Sequence, residues 1–194
     1  MRSAEGRYAS GANASAGIPA VSSGIKAVDP GAKVVTAGLN ESEIGIKLAP
    51  FLNGMYRAGA KGSFDVLALH PYAPASDLVV AQVNRAVREL RRNEDAARTL
   101  VTELGWATGS PSRRALVVSE AGQAALIRRT VGELARYRGR LRLDGVFYFN
   151  WRDVSPPPGV GDHWGRHTGL LRENGSPKPA MRALTEITRA VTTG

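Results

Sequence analysis

The stretch RTLVTELGW, residues 98–106, decides how the rest of the chain is interpreted. Leu100 and Val101 have the apolar character of a buried strand, and Glu103 then places a carboxylate close to the ring of Trp106. In parallel α/β folds, side chains at the carboxyl ends of strands face the functional site. We therefore predict a strand over 99–104 that delivers Glu103 to such a site.

Elements of the same kind continue on both sides of this stretch. Short apolar runs predict further strands over 33–39, 64–70 and 145–151. Between and after them lie predicted helices, one ending at Asp29-Pro30 and others over 47–60, 77–92, 119–138 (with Ser119 as N-cap) and 178–191. This alternation indicates a parallel sheet covered by helices.

The fold class is therefore α/β, with about four strand–helix units. Four units are half of a (β/α)8 barrel, the TIM-barrel type, whose usual length is about 250 residues. An open doubly wound sheet is the alternative, because composition does not separate the two. Residues 1–22 are rich in Ala, Ser and Gly and are predicted to be poorly ordered, so the domain is placed at 23–194.

Composition narrows the classes of function. The chain has 194 residues, of which 43% are hydrophobic, enough for one domain with a substantial core. Its net charge of +9 invites a nucleic-acid partner, but the arginines are concentrated in segments 84–92 and 127–142, where they alternate with apolar residues as on solvated helix faces. Without cysteine, neither a disulfide nor a Cys-based zinc site can form.

Targeting signals are not evident in this sequence. No apolar run approaches the roughly 20 residues of a membrane helix, so a membrane partner is not predicted. The first residues lack the apolar middle of a secretion signal. Neither observation assigns a compartment.

The predicted strand ends carry an unusual set of side chains. The second strand ends in His70-Pro71-Tyr72, the third in Glu103, and the fourth in Asn150-Trp151. A carboxylate, hydrogen-bonding groups and flat rings at one end of a sheet are suited to a sugar, because rings meet its C–H faces and polar groups meet its hydroxyls. We therefore predict a carbohydrate-binding site there.

These motifs, in this order, resemble the second half of retaining glycoside hydrolases of the (β/α)8 clan A, which includes β-xylosidases, β-glucosidases and cellulases. The resemblance extends from about residue 22 to the end. It implies hydrolysis of O-glycosyl bonds with Glu103 as nucleophile, Trp151 as the platform under the sugar, and His70, Tyr72 and Asn150 as positioning groups. A carbohydrate is the implied partner, and no cofactor is implied.

The family's acid/base residue has no clear counterpart here. In the clan it follows strand four, three strands before the nucleophile, in an Asn-Glu-Pro motif. Asn40-Glu41 lies only two strands before Glu103 and is followed by Ser42, so we interpret it as the polar opening of the next helix. The chain is then strands five to eight, a truncated domain whose partner would be the missing half-barrel or a second copy of itself.

Two alternatives to a working hydrolase remain open. One is an inactive carbohydrate-binding relic or fragment, which keeps the aromatic floor without an acid. The other is a basic nucleic-acid-binding protein, which the charge pattern makes the weakest of the three.

Several further residues have a structural interpretation beside a functional one. Trp106 lies past the strand end and is predicted to pack. Asp162, His163 and His167 have the side chains of metal ligands, but glycines and prolines around them indicate a loop, so no metal is predicted. In that loop Trp164 is expected to meet a further sugar.

Overall fold

The computed structural model describes residues 17–41, 45–109 and 114–192. Within these ranges three strands form one parallel sheet in the order β1, β2, β3, covering Val66–Leu69, Arg98–Val101 and Leu143–Val146. Leu67 pairs with Thr99, and Thr99 pairs with Leu143 on its other side. The result is a mixed α/β fold with a small parallel sheet.

Helices precede and follow the strands as the alternation predicts. The described residues form α1 to α5, which cover Ile18–Val28, Leu48–Arg57, Ser76–Arg92, Glu120–Arg136 and Pro179–Thr192. The predicted N-cap of α4 is confirmed, since the Ser119 hydroxyl accepts the Gly122 N–H. Short 3-10 turns cover Arg114–Leu116 and Trp164–His167.

The predicted first strand, 33–39, is reduced to two isolated parallel bridges. Val35 pairs with Val66, and Leu39 with Leu69, with no continuous ladder between them. The Thr36 hydroxyl accepts the Ala68 N–H, in the place where a backbone carbonyl would continue the ladder. This segment, residues 33–39, is named the edge segment because it borders β1 on the side away from β2.

Other predicted boundaries also differ from the structure. The strand predicted over 99–104 covers Arg98–Val101, so Glu103 lies just past its end. The strand predicted over 145–151 ends at Val146, so Asn150 and Trp151 lie in the connection after β3. Residues 1–16, in the segment predicted to be poorly ordered, lie outside the described residues, but α1 begins at Ile18 and makes 18–22 helical.

The hydrophobic core lies between the sheet and its helices. Trp106 is fully buried there, and its indole N–H donates to the Ala73 carbonyl at 2.8 Å, which confirms its packing role. The buried Gln123 amide donates to the Trp106 carbonyl from α4. These bonds tie the segment that follows β2 to the helix layer.

Arginines of the outer helices meet carboxylates. Arg129 pairs with Glu133 within α4, and Arg182 with Glu186 within α5. Such solvated pairs are the pattern expected of outer helix faces. None of the described helices is both long and apolar enough to cross a membrane.

Candidate active site

The structure brings together three of the predicted site residues at the carboxyl ends of β1 and β2. The Tyr72 hydroxyl donates to Glu103 Oε2 at 2.9 Å, and His70 Nδ1 lies 3.3 Å from the same oxygen. The Glu103 side chain keeps 34% of its surface exposed. Its other oxygen, Oε1, accepts no hydrogen bond from any described residue and is therefore free to meet a ligand.

Tyr72 is suited to hold the Glu103 side chain in place. Burial, reinforced by the nearby charge of Glu103, raises the pKa of Tyr72 well above its ordinary value. The phenol therefore keeps its proton and donates a hydrogen bond to the Glu103 side chain at neutral pH. Tyr72 thus contacts Glu103, and its role as a positioning group for the substrate stays a prediction.

His70 is positioned by a close backbone approach from the edge segment. A Cβ on Gly38 would lie 1.9 Å from His70 Nε2, so only glycine leaves room for the ring in its place. The backbone N–H of His70 also donates to the Leu39 carbonyl at 2.7 Å. The edge segment therefore sets where the imidazole meets Glu103.

The ring of Trp164 packs against the ring of Tyr72. The two rings meet edge to face, with centroids 4.8 Å apart, and only 6% of Trp164 is exposed. The Trp164 ring is therefore largely covered, and its expected contact with a further sugar stays a prediction. Its ring packs against Tyr72 and the core.

Trp151 differs from Trp164 in being open to solvent. It is 62% exposed, and it follows a cis peptide bond between Phe149 and Asn150. The Asn150 amide donates to the Gly165 carbonyl at 3.1 Å, while its Oδ1 is buried with no hydrogen-bond partner in the described chain. Asn150 is thus partly committed to holding the 3-10 turn, and Trp151 carries the free aromatic face.

The Asp162–His167 loop closes on itself. His167 Nε2 lies 2.8 Å from both carboxylate oxygens of Asp162, and the His163 Nδ1 accepts the Gly165 N–H. The hydrogen bond to His167 is the largest cause that lowers the pKa of Asp162. Among the described residues no three side chains of the metal-binding types come together.

Glu41 is held by cations. Arg85 lies 2.7 Å from its Oε2 and Lys47 lies 4.0 Å from its Oε1. The interpretation of Asn40-Glu41 as the polar opening of the next helix is wrong, because α2 begins only at Leu48. Ser42 lies outside the described residues.

Other residues that shape the site gave no signal in the sequence. A Cβ on Gly105 would lie 2.0 Å from the Phe149 carbonyl oxygen, so the connections that leave β2 and β3 touch through their backbones. Lys178, only 2% exposed, pairs with Asp153 at 2.6 Å and donates to the Thr108 hydroxyl. A lysine at the start of a helix resembles any surface lysine in sequence.

Comparison with known proteins finds similar folds among solved structures of glycoside hydrolases. No protein-family model matches the sequence, and no curated protein sequence matches it. Solved structures do match. They include a β-glucuronidase from Bifidobacterium dentium (18% identity, TM-score 0.59), an agarase (14%, 0.67) and a glycoside hydrolase family 17 β-1,3-glucanosyltransferase from Rhizomucor miehei (17%, 0.55).

These matches cover most of this chain but only part of each matched protein. They include 90%, 94% and 88% of this chain, against 26%, 26% and 56% of the glucuronidase, the agarase and the glucanosyltransferase. Identities this low establish the shared fold alone. The chain thus has the fold of a part of these glycoside hydrolases.

Proposed function

We propose that this chain is the nucleophile-bearing half of a retaining glycoside hydrolase of the (β/α)8 type, with Glu103 as the nucleophile. The observation that carries the proposal is the pairing at Glu103. Its Oε2 accepts the Tyr72 hydroxyl, while its Oε1 accepts no hydrogen bond from a described residue, and the side chain is partly exposed beyond the end of β2. Since a nucleophilic carboxylate must be ionised and reachable, this arrangement suits the role.

The reaction follows from that free oxygen. Glu103 Oε1 attacks the anomeric carbon, forming a glycosyl ester while the bond to the leaving oxygen breaks and its electron pair leaves with that oxygen. An ordinary sugar leaving group needs a proton from a second carboxyl about 5–5.5 Å away. Glu41 does not serve, because Arg85 and Lys47 hold it as an ion pair. The acid would come from the other half of the domain.

A substrate with an acidic leaving group tests the nucleophile without that acid. Dinitrophenolate departs unprotonated, so a 2-deoxy-2-fluoro dinitrophenyl glycoside should leave its sugar on Glu103. We expect mass spectrometry of the intact chain to show one added sugar, located to residues 98–106 after proteolysis. A panel of β-glucoside, β-xyloside and β-glucuronide finds the accepted sugar, the last because the Bifidobacterium dentium enzyme was solved with coumarin-3-O-glucuronide.

Two variants make the result specific. Glu103→Gln should lower the labelling rate by at least about 10³-fold, because the amide is not a nucleophile. Glu94→Gln, at a side chain 87% exposed and away from the strand ends, should label like the unmodified chain. Equal labelling of Glu103→Gln and the unmodified chain would overturn the assignment of Glu103.

A binding role without turnover is the second candidate, and exposed Trp151 favours it. An aromatic face 62% exposed can hold a sugar whether or not Glu103 reacts. If no glycoside labels the chain, titration with xylo- and cello-oligosaccharides, followed by tryptophan fluorescence, separates the two. Fluorescence changes that vanish in Trp151→Ala support the carbohydrate-binding fragment, and their absence in the unmodified chain removes both candidates.

A further inference from the structure

Four exposed arginines lie together at the amino end of the sheet, in and beside the turn that joins α4 to β3. Arg136 ends α4, Arg138 and Arg140 follow in the turn, and Arg91 lies in the last turn of α3. The Arg91 guanidinium donates to the Arg140 carbonyl at 3.1 Å, which joins the helix to the turn. We call these four residues the arginine cluster.

The positive charge of the arginine cluster is not neutralised by the described chain. None of the four guanidinium groups forms an ion pair with a carboxylate of a described residue. Glu133 is already held by Arg129 and the Ser76 hydroxyl, and Asp144 pairs with Arg98. A chain of net charge +9 therefore presents several uncompensated cations at this one place.

The turn holds the arginine cluster in a fixed arrangement. The Leu143 N–H donates to the Arg138 carbonyl at 2.9 Å. The half-buried Arg142 side chain donates to the Asp95 carbonyl at 2.6 Å, which ties the turn to the connection before β2. Groups that are held in place before binding lose less conformational freedom when a ligand arrives.

Tyr137 orients two of the guanidinium groups. The Cζ of Arg140 lies 4.4 Å from the centroid of its ring, and the Cζ of Arg136 lies 5.8 Å from it. The same ring also packs against the hydrophobic core. A guanidinium stacked on a ring keeps N–H groups at its edge for an anion, whereas the enclosed ring has no open face to offer.

We infer that the arginine cluster binds an acidic polysaccharide, a polymer whose sugar units carry carboxylates. Arginine binds carboxylates through two parallel hydrogen bonds, and several arginines in one place can engage successive units of a polymer. Because the cluster lies on an exposed turn, an extended polymer can lie across it. The cluster precedes β3, whereas Glu103 follows β2, so the two lie at opposite ends of the sheet and binding requires no reaction.

A nucleic acid fits the arginine cluster less well. Proteins that bind single strands stack the bases on open aromatic faces, and the Tyr137 ring is enclosed. Proteins that recognise a duplex place a helix or a strand in its groove, whereas Arg138 and Arg140 lie in a turn. A sugar polymer is also the ligand expected of the site around Glu103, and this last argument rests on the proposed function.

Titration of the full chain with an oligogalacturonate of defined length tests the arginine cluster. Arg138→Gln combined with Arg140→Gln should weaken binding in low salt by at least about tenfold, measured by isothermal titration calorimetry. The matched control combines Arg128→Gln with Arg182→Gln, which lower the net charge equally at exposed sites on α4 and α5. It should bind within about twofold of the unmodified chain, because exposed ion pairs contribute little. Equal weakening in both double variants would overturn the inference, since net charge alone would then explain binding.

Two further measurements identify the ligand and its place. Single-stranded DNA with the same number of charges should bind more weakly than the oligogalacturonate. Tighter DNA binding that is lost when Arg138 and Arg140 are replaced would overturn the assignment to a polysaccharide. If Trp151→Ala abolishes oligogalacturonate binding while the replacement of Arg138 and Arg140 leaves it intact, the polymer lies at the sugar site, and the inference fails.

The arginine cluster and Glu103 are tested by separate signals. Replacing Arg138 and Arg140 should leave the fluoroglycoside labelling of Glu103 unchanged, because the two sites lie at opposite ends of the sheet. Both double variants should also melt like the unmodified chain, because all four substitutions are at exposed sites. Failure of one proposal is thereby distinguished from failure of the other.

Discussion

Asp65 and Glu103 are carboxylates at opposite ends of neighbouring strands, and their surroundings differ in kind. Asp65 immediately precedes β1, and its Oδ2 accepts the Val34 N–H at 2.8 Å and meets Lys26 at 2.9 Å. Glu103 follows β2 and meets the hydroxyl of Tyr72 and the ring of His70. Their side chains are almost equally exposed, 28% and 34%.

The comparison shows that the partners of these two carboxylates, rather than their exposure, distinguish them. Asp65 is bonded to an amide that is part of the fold and to a cation, and the Val34 N–H is the largest cause that lowers its pKa. Glu103 has one oxygen held by a neutral donor and one oxygen free. A carboxylate neutralised by a fixed cation is a poor nucleophile, because attack would break the ion pair.

Of all the predicted changes, the loss of the buried Trp164 should lower stability most, whereas the loss of the exposed Trp151 should hardly matter. Trp164→Ala removes a buried ring that packs on Tyr72, so we expect a loss of about 3–5 kcal/mol in the free energy of unfolding. Trp151→Ala, at an exposed ring, should stay within about 0.5 kcal/mol. Urea unfolding measures both. Equal losses would mean that the two rings are packed alike.

Gly38→Ala should affect Glu103 but not Asp65, because the new methyl group displaces His70. The new methyl would meet the imidazole at 1.9 Å, so the ring must leave Glu103, at a cost of about 1–3 kcal/mol in stability. Gly139→Ala, where a Cβ meets nothing within 4 Å, is the matched control. The labelling rate at Glu103 should fall only in Gly38→Ala, with the Asp65 pair intact. An unchanged rate in a destabilised Gly38→Ala would show that His70 has no part in positioning Glu103.

The smallest expected effect is the pH-dependent change in melting temperature that Asp65→Asn causes. Its pKa in the folded chain lies below the ordinary 3.8, so its contribution to stability is present above that pH and is lost as pH falls through the folded value. Asp65→Asn should therefore have a lower melting temperature than the unmodified chain near neutral pH, and the difference should close below pH 3.8. Melting curves across that range measure it. The exposed Glu94→Gln should show no difference at any pH, and a constant difference for Asp65→Asn would contradict the assignment.

The sequence predicted the central elements because their patterns are local. The continuous apolar run of Val66–Leu69 arises because both faces of that strand are buried. The helical spacing of Ser76–Arg92 arises because one face of the helix is buried. The edge segment is similarly apolar in sequence. There, however, the Thr36 hydroxyl takes the place of a backbone acceptor in the ladder, and the sequence pattern does not reveal this substitution. The strand predicted to reach Trp151 ends at Val146. Beyond that residue, Phe147 and Phe149 donate their N–H groups to Val101 and Leu104, and these two bonds do not form a continuous ladder.

For the site, the sequence located Glu103, His70 and Tyr72 but not their relations. Which side chain contacts the carboxylate depends on ring orientation across two strands, and that is set by contacts from Trp164 and Gly38, distant in sequence. The same limit explains Trp164, whose burial under Tyr72 could not be inferred from a glycine-rich loop. Distances to substrate for Asn150 and Trp151 remain predictions of the sequence.

The TELGW stretch has a consequence for how such chains change over generations. Leu104 and Trp106 are buried, and Gly105 touches the Phe149 carbonyl through its backbone, so a lineage would keep all three merely to stay folded. Glu103 is the member that the core does not require. In a lineage released from selection for catalysis, that codon should drift first while its neighbours stand still. Related sequences in which the position of Glu103 varies, while Leu104, Gly105 and Trp106 stay the same, would identify such a lineage.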